Sequence, residues 1–361
     1  MTDRVRYLRN NVLLLVSLLV PAVFSNGCAD WEGGGGSREY GGHYHGSKAF
    51  MVETYDGGLT WEAPCDTDKA VSFVAADVID AEETVIITAA SNRDGNAAVF
   101  RTDDWGINWT EVCGGYYDLT WMHDLAAGSL RYWAVAVGDA GAVFQTRDRG
   151  FSWSQKDSKT SSTLFAVDFY KVGFGPLKGF AVGEDGTIIR SEDAGDTWTK
   201  LDYSTPHDLF DVKAVGYFEG DEGLVVIVGD DGIVIRSEDT GDTWTEQQVT
   251  TNPTLNAVSF NERSVYDGFG IAVGEGGEIY KSSDDGSTWQ RVATFSGIPL
   301  YDVHVNSAGN CVAVGKYHIL HSADQGETWS VVLEDGGKRK SFFGIHFIND
   351  SVQGVAVGKT Y

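Results

Sequence analysis

The chain has 361 residues, 42% of them apolar, 45 glycines, and a formal net charge of −25. So acidic a protein lacks the Lys and Arg excess that neutralises phosphates, which excludes nucleic-acid binding as its business. Length alone suggests two or three domains, and the apolar fraction is that of an ordinary globular protein.

Arg4, Arg6 and Arg9 precede an apolar run from Val12 to Val20, followed by Pro21, small residues and Cys28. A charged start, a short apolar centre and a small-residue end predict a secretory signal over 1–28, since the run is too short to span a bilayer. Ser25-Asn26-Gly27-Cys28 resembles a bacterial lipobox, departing from it at Ser25 where a branched aliphatic is usual. It predicts lipidation of Cys28, with simple cleavage nearby as the alternative. The expected location is the cell envelope, periplasm or cell surface, with a membrane anchor. Residues 29–47 hold GGGG and GGHYHG without apolar period and read as a flexible tether. His43 and His45 on such a linker are expected to be solvated.

From Lys48 onward the sequence repeats itself. Phe180 to Trp198 is the clearest copy: two short apolar strands, a Gly-bearing turn between them, and an acidic box S/T-x-D-x-G-x-[ST]-W. The box recurs with Asp56, Asp104, Asp148, Asp193, Asp239, Asp284 and Asp324, at Trp-to-Trp steps of 48, 44, 45, 46, 45 and 40 residues. Such a period means a solenoid or propeller. Each repeat divides into four strands: a (Leu164 to Phe169), b (Gly179 to Val182), c (Thr187 to Ser191) and d, beginning at Thr197 and Trp198. Even spacing, β-branched residues and Gly turns predict an all-β chain of four-stranded antiparallel blades.

The two ends of the repeat region are complementary. The first copy has only c and d (Ala49 to Thr54, Thr60 to Glu62), and the last has only a and b (Phe342 to Ile348, Gly354 to Val357). Joining them in one blade hides two sheet edges and predicts a seven-bladed β-propeller over 48–361, expected to be a monomer. In the box, Asp193 should accept backbone N–H groups across the c–d turn. Gly195 should take positive φ, and Trp198 should pack between the outer strands of a blade. These roles are structural, so no box residue is assigned catalysis.

Function is expected on the face opposite the boxes, where the b–c turns and d–a connections lie. After the V-G pair come Asp139, Glu184, Asp230 and Glu275, then Lys316 and Lys359. The d–a connections add Tyr116, Tyr117, His207 and the run Lys338, Arg339, Lys340. Acids in Gly turns often cap local N–H groups, but that does not explain why the two signs are segregated. A second ring is expected along the channel. Aligned inner strands place His123, Asp168, Lys213, Ser259, His304 and His346 at one register, with Asp211 and Asp302 two residues earlier and Val74 in the first blade. Inter-blade hydrogen bonding is the expected role of this ring. No spacing makes the three His converge on a metal, and no cofactor is called for. Cys65 and Cys113 sit on equivalent outer strands of neighbouring blades, farther apart than a disulfide reaches unless the loops bend together. Cys311 reads as a buried apolar residue.

The boxes resemble the bacterial neuraminidase repeat. The repeated Ala181-Val182-Gly183 to Trp198 and Ala272-Val273-Gly274 to Trp289, with Arg101, Arg190, Arg236 and Lys281 directly before a box, are similar to the photosystem II stability/assembly factor family. The resemblance implies a non-enzymatic chaperone that binds a protein partner, and in the family a positively charged patch does the binding. Sialidases share the box but need an arginine triad and an R-I-P motif, and Gly297-Ile298-Pro299 has no Arg. Endo-glucanases with these repeats use two propellers. Glu184, Asp230 and Glu275 are the only nearby acids for a glycosidase-type pair. The sequence therefore favours an envelope protein-binding scaffold. The alternatives are a carbohydrate- or cation-binding propeller, or a glycoside-hydrolase-like enzyme.

Overall fold

A computed structural model describes residues 48–361, apart from 67–69, 81–84, 93–96, 105, 107, 114–121, 128–131, 172–176, 217–222, 250–252, 262–267, 338 and 348–351. The leader, Cys28 and the tether lie outside the described residues, as do Tyr116, Tyr117, Lys338 and the side chains of Cys65 and Cys113. No helix among the described residues is long and apolar enough to cross a membrane.

The chain folds into antiparallel four-stranded sheets with only short 3-10 turns between them. Six blades are each built from four consecutive strands, the first from Ala70–Asp80, Val85–Asn92, Ala97–Thr102 and Thr110–Cys113. A further four-stranded sheet, here the closing sheet, takes Ala49–Thr54 and Glu62–Asp66 from the start and Lys340–Phe347 and Gly354–Thr360 from the end. Its two halves pair from Ala49↔Lys359 to Thr54↔Gly354.

Strand b is buried along its length in most blades, as in GLVVIVG over Gly223–Gly229, because both of its faces are covered by neighbouring blades. The apolar core is accordingly a set of clusters between adjacent sheets. Val182, Ile188 and Phe180 of the third blade meet Leu209, Val225 and Ile235 of the fourth, and Phe50 and Val52 of the closing sheet meet Val312 and Val314 of the sixth. Trp198 sits in a buried cluster with Ala181 and Ile189 of its own blade and Trp133, Val135 and Val137 of the preceding one. One expectation is corrected: strand d starts after the Trp, at Thr199–Lys200, rather than at Thr197.

The boxes bond as their residue types require. In all seven, the Asp accepts the backbone N–H four residues on, at 2.8–2.9 Å. In the third blade Ser191 Oγ accepts the N–H of Gly195, whose φ is +82°. A side chain at Gly195 would strain that backbone and meet Val135 Cγ2 of the preceding blade at 2.8 Å.

Candidate functional site

Each inner strand carries a buried leader residue followed by a bulge, Phe73 being the leader in the first blade. Leu164 pairs with Gly183 and Ala166 with Val182, and the same shift recurs at Met122, Leu209, Leu255, Leu300 and Phe342. The bulge inserts one residue and re-aims its side chain. It fixes two registers along the channel, two and four residues after the leader.

From these registers carboxyl and hydroxyl oxygens cross to the next blade. Asp77 accepts the Ala127 N–H at 2.7 Å, Asp124 that of Val167 at 2.9 Å and Asp168 that of Ala214 at 2.8 Å. Asp211 accepts the Val258 N–H at 2.7 Å, Ser259 Oγ that of Val305 at 3.1 Å and Asp302 that of Ile345 at 2.8 Å. The acceptor alternates between the two registers from blade to blade. Strand pairing leaves these inner-edge N–H groups without a ladder partner, and the ring satisfies them. The expected inter-blade bonding is therefore present, but with different members. His123 is not in this ring, since the bulge puts it one residue after its leader, level with Phe165. The residue of the first blade at the register of Asp168 is Asp77, not Val74. Asp124 was missed, and its signal was the recurring Asp two residues after Met122, Leu209 and Leu300.

The channel these residues line encloses 390 Å³. Burial pushes Asp302 up to about 7, and burial reinforced by neighbouring carboxylates raises Asp124 and Asp211 well above the ordinary range. Lys213 Nζ lies 3.2 Å from Asp168. His304 faces His346 with ring centroids 5.2 Å apart, and burial, then the charge of His346 and of Lys213, holds it well below its usual range. Among the described residues no group of three or more His, Cys, Asp or Glu is placed to hold a metal.

On the b–c face the acids are engaged with their own blades. Asp139 lies 2.8 Å from His123 Nε2 and Asp230 2.8 Å from His207 Nδ1. Glu184 accepts the Thr163 N–H at 3.0 Å, and Glu275 accepts from Asn256 Nδ2 at 3.3 Å. They tie each b–c turn to the start of strand a and present one polar edge. The lysines differ in setting. Lys359 Nζ lies 5.5 Å from the Phe343 ring centroid and 4.8 Å from that of Tyr361, Lys316 lies over Tyr317, and Lys340 over Phe50. The Arg339 carbonyl accepts the Tyr361 N–H at 2.7 Å, and Lys316 bridges to Ser341, so these basic residues share one corner.

The same blades carry half-buried rings at the bulge position, interrupted at Asn256. His123 touches Phe165, Phe165 touches Phe210, and Tyr301 stacks on Phe343 at 5.1 Å. Burial, with Glu275 and two other tyrosines nearby, pushes the Tyr301 hydroxyl up to about 12. These rings were absent from the sequence reading, although the ring following each leader was visible in Leu164-Phe165, Leu209-Phe210 and Leu300-Tyr301.

The box face carries a different device. Arg101 Nε donates to the Arg149 carbonyl of the next blade, Gln145 Nε2 to Ala194, Arg190 to Thr240 and Arg236 to Asp285, all within 3.0 Å. In these four blades the residue before the box thus braces the following turn.

The model of the photosynthesis system II assembly factor YCF48 family matches residues 116–218 and 150–316. No curated protein matches the chain. Among solved structures, YCF48 bound to D1 peptide is 19% identical over 88% of this chain and 96% of that one, with a TM-score of 0.58. YCF48 from Cyanidioschyzon merolae is 16% identical over 86% and 99%, with a TM-score of 0.60. The GH74 enzyme of Niastella koreensis is 14% identical over 81% of this chain but only 53% of its own, with a TM-score of 0.57. At these identities the likeness is one of fold.

Proposed function

The chain belongs to the photosynthesis system II assembly factor YCF48 family, and on that premise we propose that it is a non-enzymatic scaffold of the cell envelope that binds a protein partner. In this reading residues 1–28 direct export, Cys28 carries the lipid anchor and the body works as a monomer. The observation that carries it is the segregation of charge on the b–c face: Asp139, Glu184, Asp230 and Glu275 in four consecutive blades, then Lys316 and Lys359 with Arg339 and Lys340. A rigid face with opposite charges on its two sides selects a partner of complementary polarity and fixes its orientation. The half-buried rings of the same blades supply the apolar contact area that charge alone does not. That a related YCF48 has been solved with a D1 peptide supports a polypeptide partner as the class.

The channel argues against catalysis, because its acids are occupied as acceptors of inter-blade N–H groups. The test is charge reversal. Glu184→Lys, Asp230→Lys and Glu275→Lys together should abolish capture of the partner from envelope extract while melting stays within a few degrees. Undiminished capture would sink the reading. These rings also favour a second reading, carbohydrate binding by stacking on Phe165, Phe210 and Tyr301. Failure to capture any protein, together with saturable binding on a glycan array, would move the assignment there.

A further inference from the structure

The box face is not uniform around the ring. The residue two before each box Trp is Leu59, Ile107 and Phe151 in the closing sheet and first two blades, and Asp196, Asp242, Ser287 and Glu327 in the other four. Leu59 is 52% exposed and Phe151 61% exposed. Tyr55 and Val352 of the closing sheet and Tyr132 of the second blade are exposed beside them, so five of the seven large hydrophobics standing in solvent among the described residues belong to this sector. The Gly57 N–H donates to the Val352 carbonyl at 2.7 Å and the Arg149 N–H to the Tyr132 carbonyl at 3.0 Å, which sets these loop tips against the box turns. Charge follows the same division. At the variable box positions this sector carries Arg147, Arg149 and one acid, Asp103. The other four turns carry Glu192, Asp196, Glu238, Asp242, Asp285 and Glu327 and no base.

The geometry points to this sector as a bilayer-contacting edge, with Leu59 and Phe151 entering the interfacial region of a phospholipid surface. Three features select a lipid surface over a protein groove. The apolar side chains stand on separate turns, and neither Leu59 nor Phe151 lines the 360 Å³ cavity between the second and third blades, whose walls include Gln145, Arg147, Asp148, Trp153, Lys156 and Asp196. Two of the sector's three exposed aromatics carry a guanidinium on the face, Arg101 4.1 Å from the centroid of Phe151 and Arg149 4.4 Å from that of Tyr132, an arrangement of ring and cation suited to the interfacial region. The other four of the seven turns carry acids, so only the apolar sector can enter the interface without burying charge. The inference goes beyond the partner-binding reading and does not depend on it. Lys48, bonded to Thr360, enters on the b–c side, and the chain from Cys28 to Lys48 can extend roughly 70 Å, enough for an anchored body to lie box-face down. The charged face would then look away from the lipid.

The test uses the full chain with phosphatidylcholine vesicles whose acyl chains are brominated, reading quenching of tryptophan emission. Trp61 and Trp153 each lie two residues from the inserted side chain. Wild type should be quenched well beyond the double variant Leu59→Asp, Phe151→Asp, whose binding should fall roughly tenfold or more, as expected when two buried apolar side chains are replaced by charges. The N-terminal segment is common to both chains and cancels. Because both positions are exposed, the variant should melt as wild type does. Asp196→Leu, which extends the strip by one blade, should strengthen binding. Equal quenching of all three chains would overturn the inference. So would self-association in lipid-free sedimentation that the double variant loses while vesicle quenching stays the same, since the strip would then be a contact between copies.

Discussion

His346 Nε2 lies 3.1 Å from Asp77 Oδ1, joining the last inner strand to the first. The bond replaces a step that the ring cannot make. Acceptors alternate between two registers from blade to blade, and an odd number of sheets cannot alternate all the way round. The closing sheet has Gly344 at one register and His346 at the other, so it offers the first blade an imidazole where the others offer an oxygen.

Replacing His346 with Leu should therefore cost about 1–3 kcal/mol, the loss of a hydrogen bond to a charged group. Urea unfolding of His346→Leu, Asp77→Asn and the double variant would measure it. Coupling between the two should appear as a double variant less damaged than the sum.

Asp302 makes the channel sensitive to pH in a definite sense. Burial pushes its folded value up to about 7, above the ~3.9 of an unfolded Asp. Between those values the folded state holds more protons, so this group's contribution is fully present below about pH 4 and declines as pH rises towards 7. Urea midpoints from pH 4.5 to 7.5 should fall more steeply for wild type than for Asp302→Asn.

Glu53 occupies the closing sheet's brace position, where other blades have Arg101, Gln145, Arg190, Arg236, Lys281 or His321. It is 5% exposed, Tyr55 donates to its Oε2, and Oε1 has no hydrogen-bond partner. Burial raises its pKa despite the bond from Tyr55, so ionisation costs stability as pH rises above the ordinary Glu value. Glu53→Gln removes that charge and adds a donor. It should raise stability at pH 7 by about 1 kcal/mol, with a smaller gain at pH 4.5.

The boxes titrate the other way. Hydrogen bonds from the Thr328 hydroxyl and backbone N–H hold Asp324 down at about 2. Its stabilisation is present above about pH 4 and is lost as pH falls towards 2. Asp324→Ala should cost about 1 kcal/mol at pH 7, since solvent screens this exposed carboxylate, and the difference from wild type should shrink on acidification. Thermal melts at pH 7 and pH 2.5 would check this.

Much of the fold is legible in the repeat because each box residue is dictated locally. Asp193, Gly195 and Thr197 form a turn whose bonds span four residues, and the two incomplete end copies specify the sheet they share. The channel was misread for an equally local reason. A bulge after Met122 breaks the two-residue period of the strand, so aligning His123 with the other His residues shifts it out of register. The rings escaped notice because the bulge position accepts His, Phe, Asn or Tyr, and no single residue type marks it. The buried cluster around Trp198 also draws Trp133 and Val135 from another blade, which no within-repeat pattern contains.

The central claim, that the b–c face is where a partner sits, is tested most directly by hydrogen–deuterium exchange of the chain with and without its purified partner. The account predicts slowed exchange at the turns beginning with Asp139, Glu184 and Asp230 and around Lys316 and Lys359, with the box turns unchanged. Slowed exchange confined to the box turns, with the b–c turns unaffected, would contradict it.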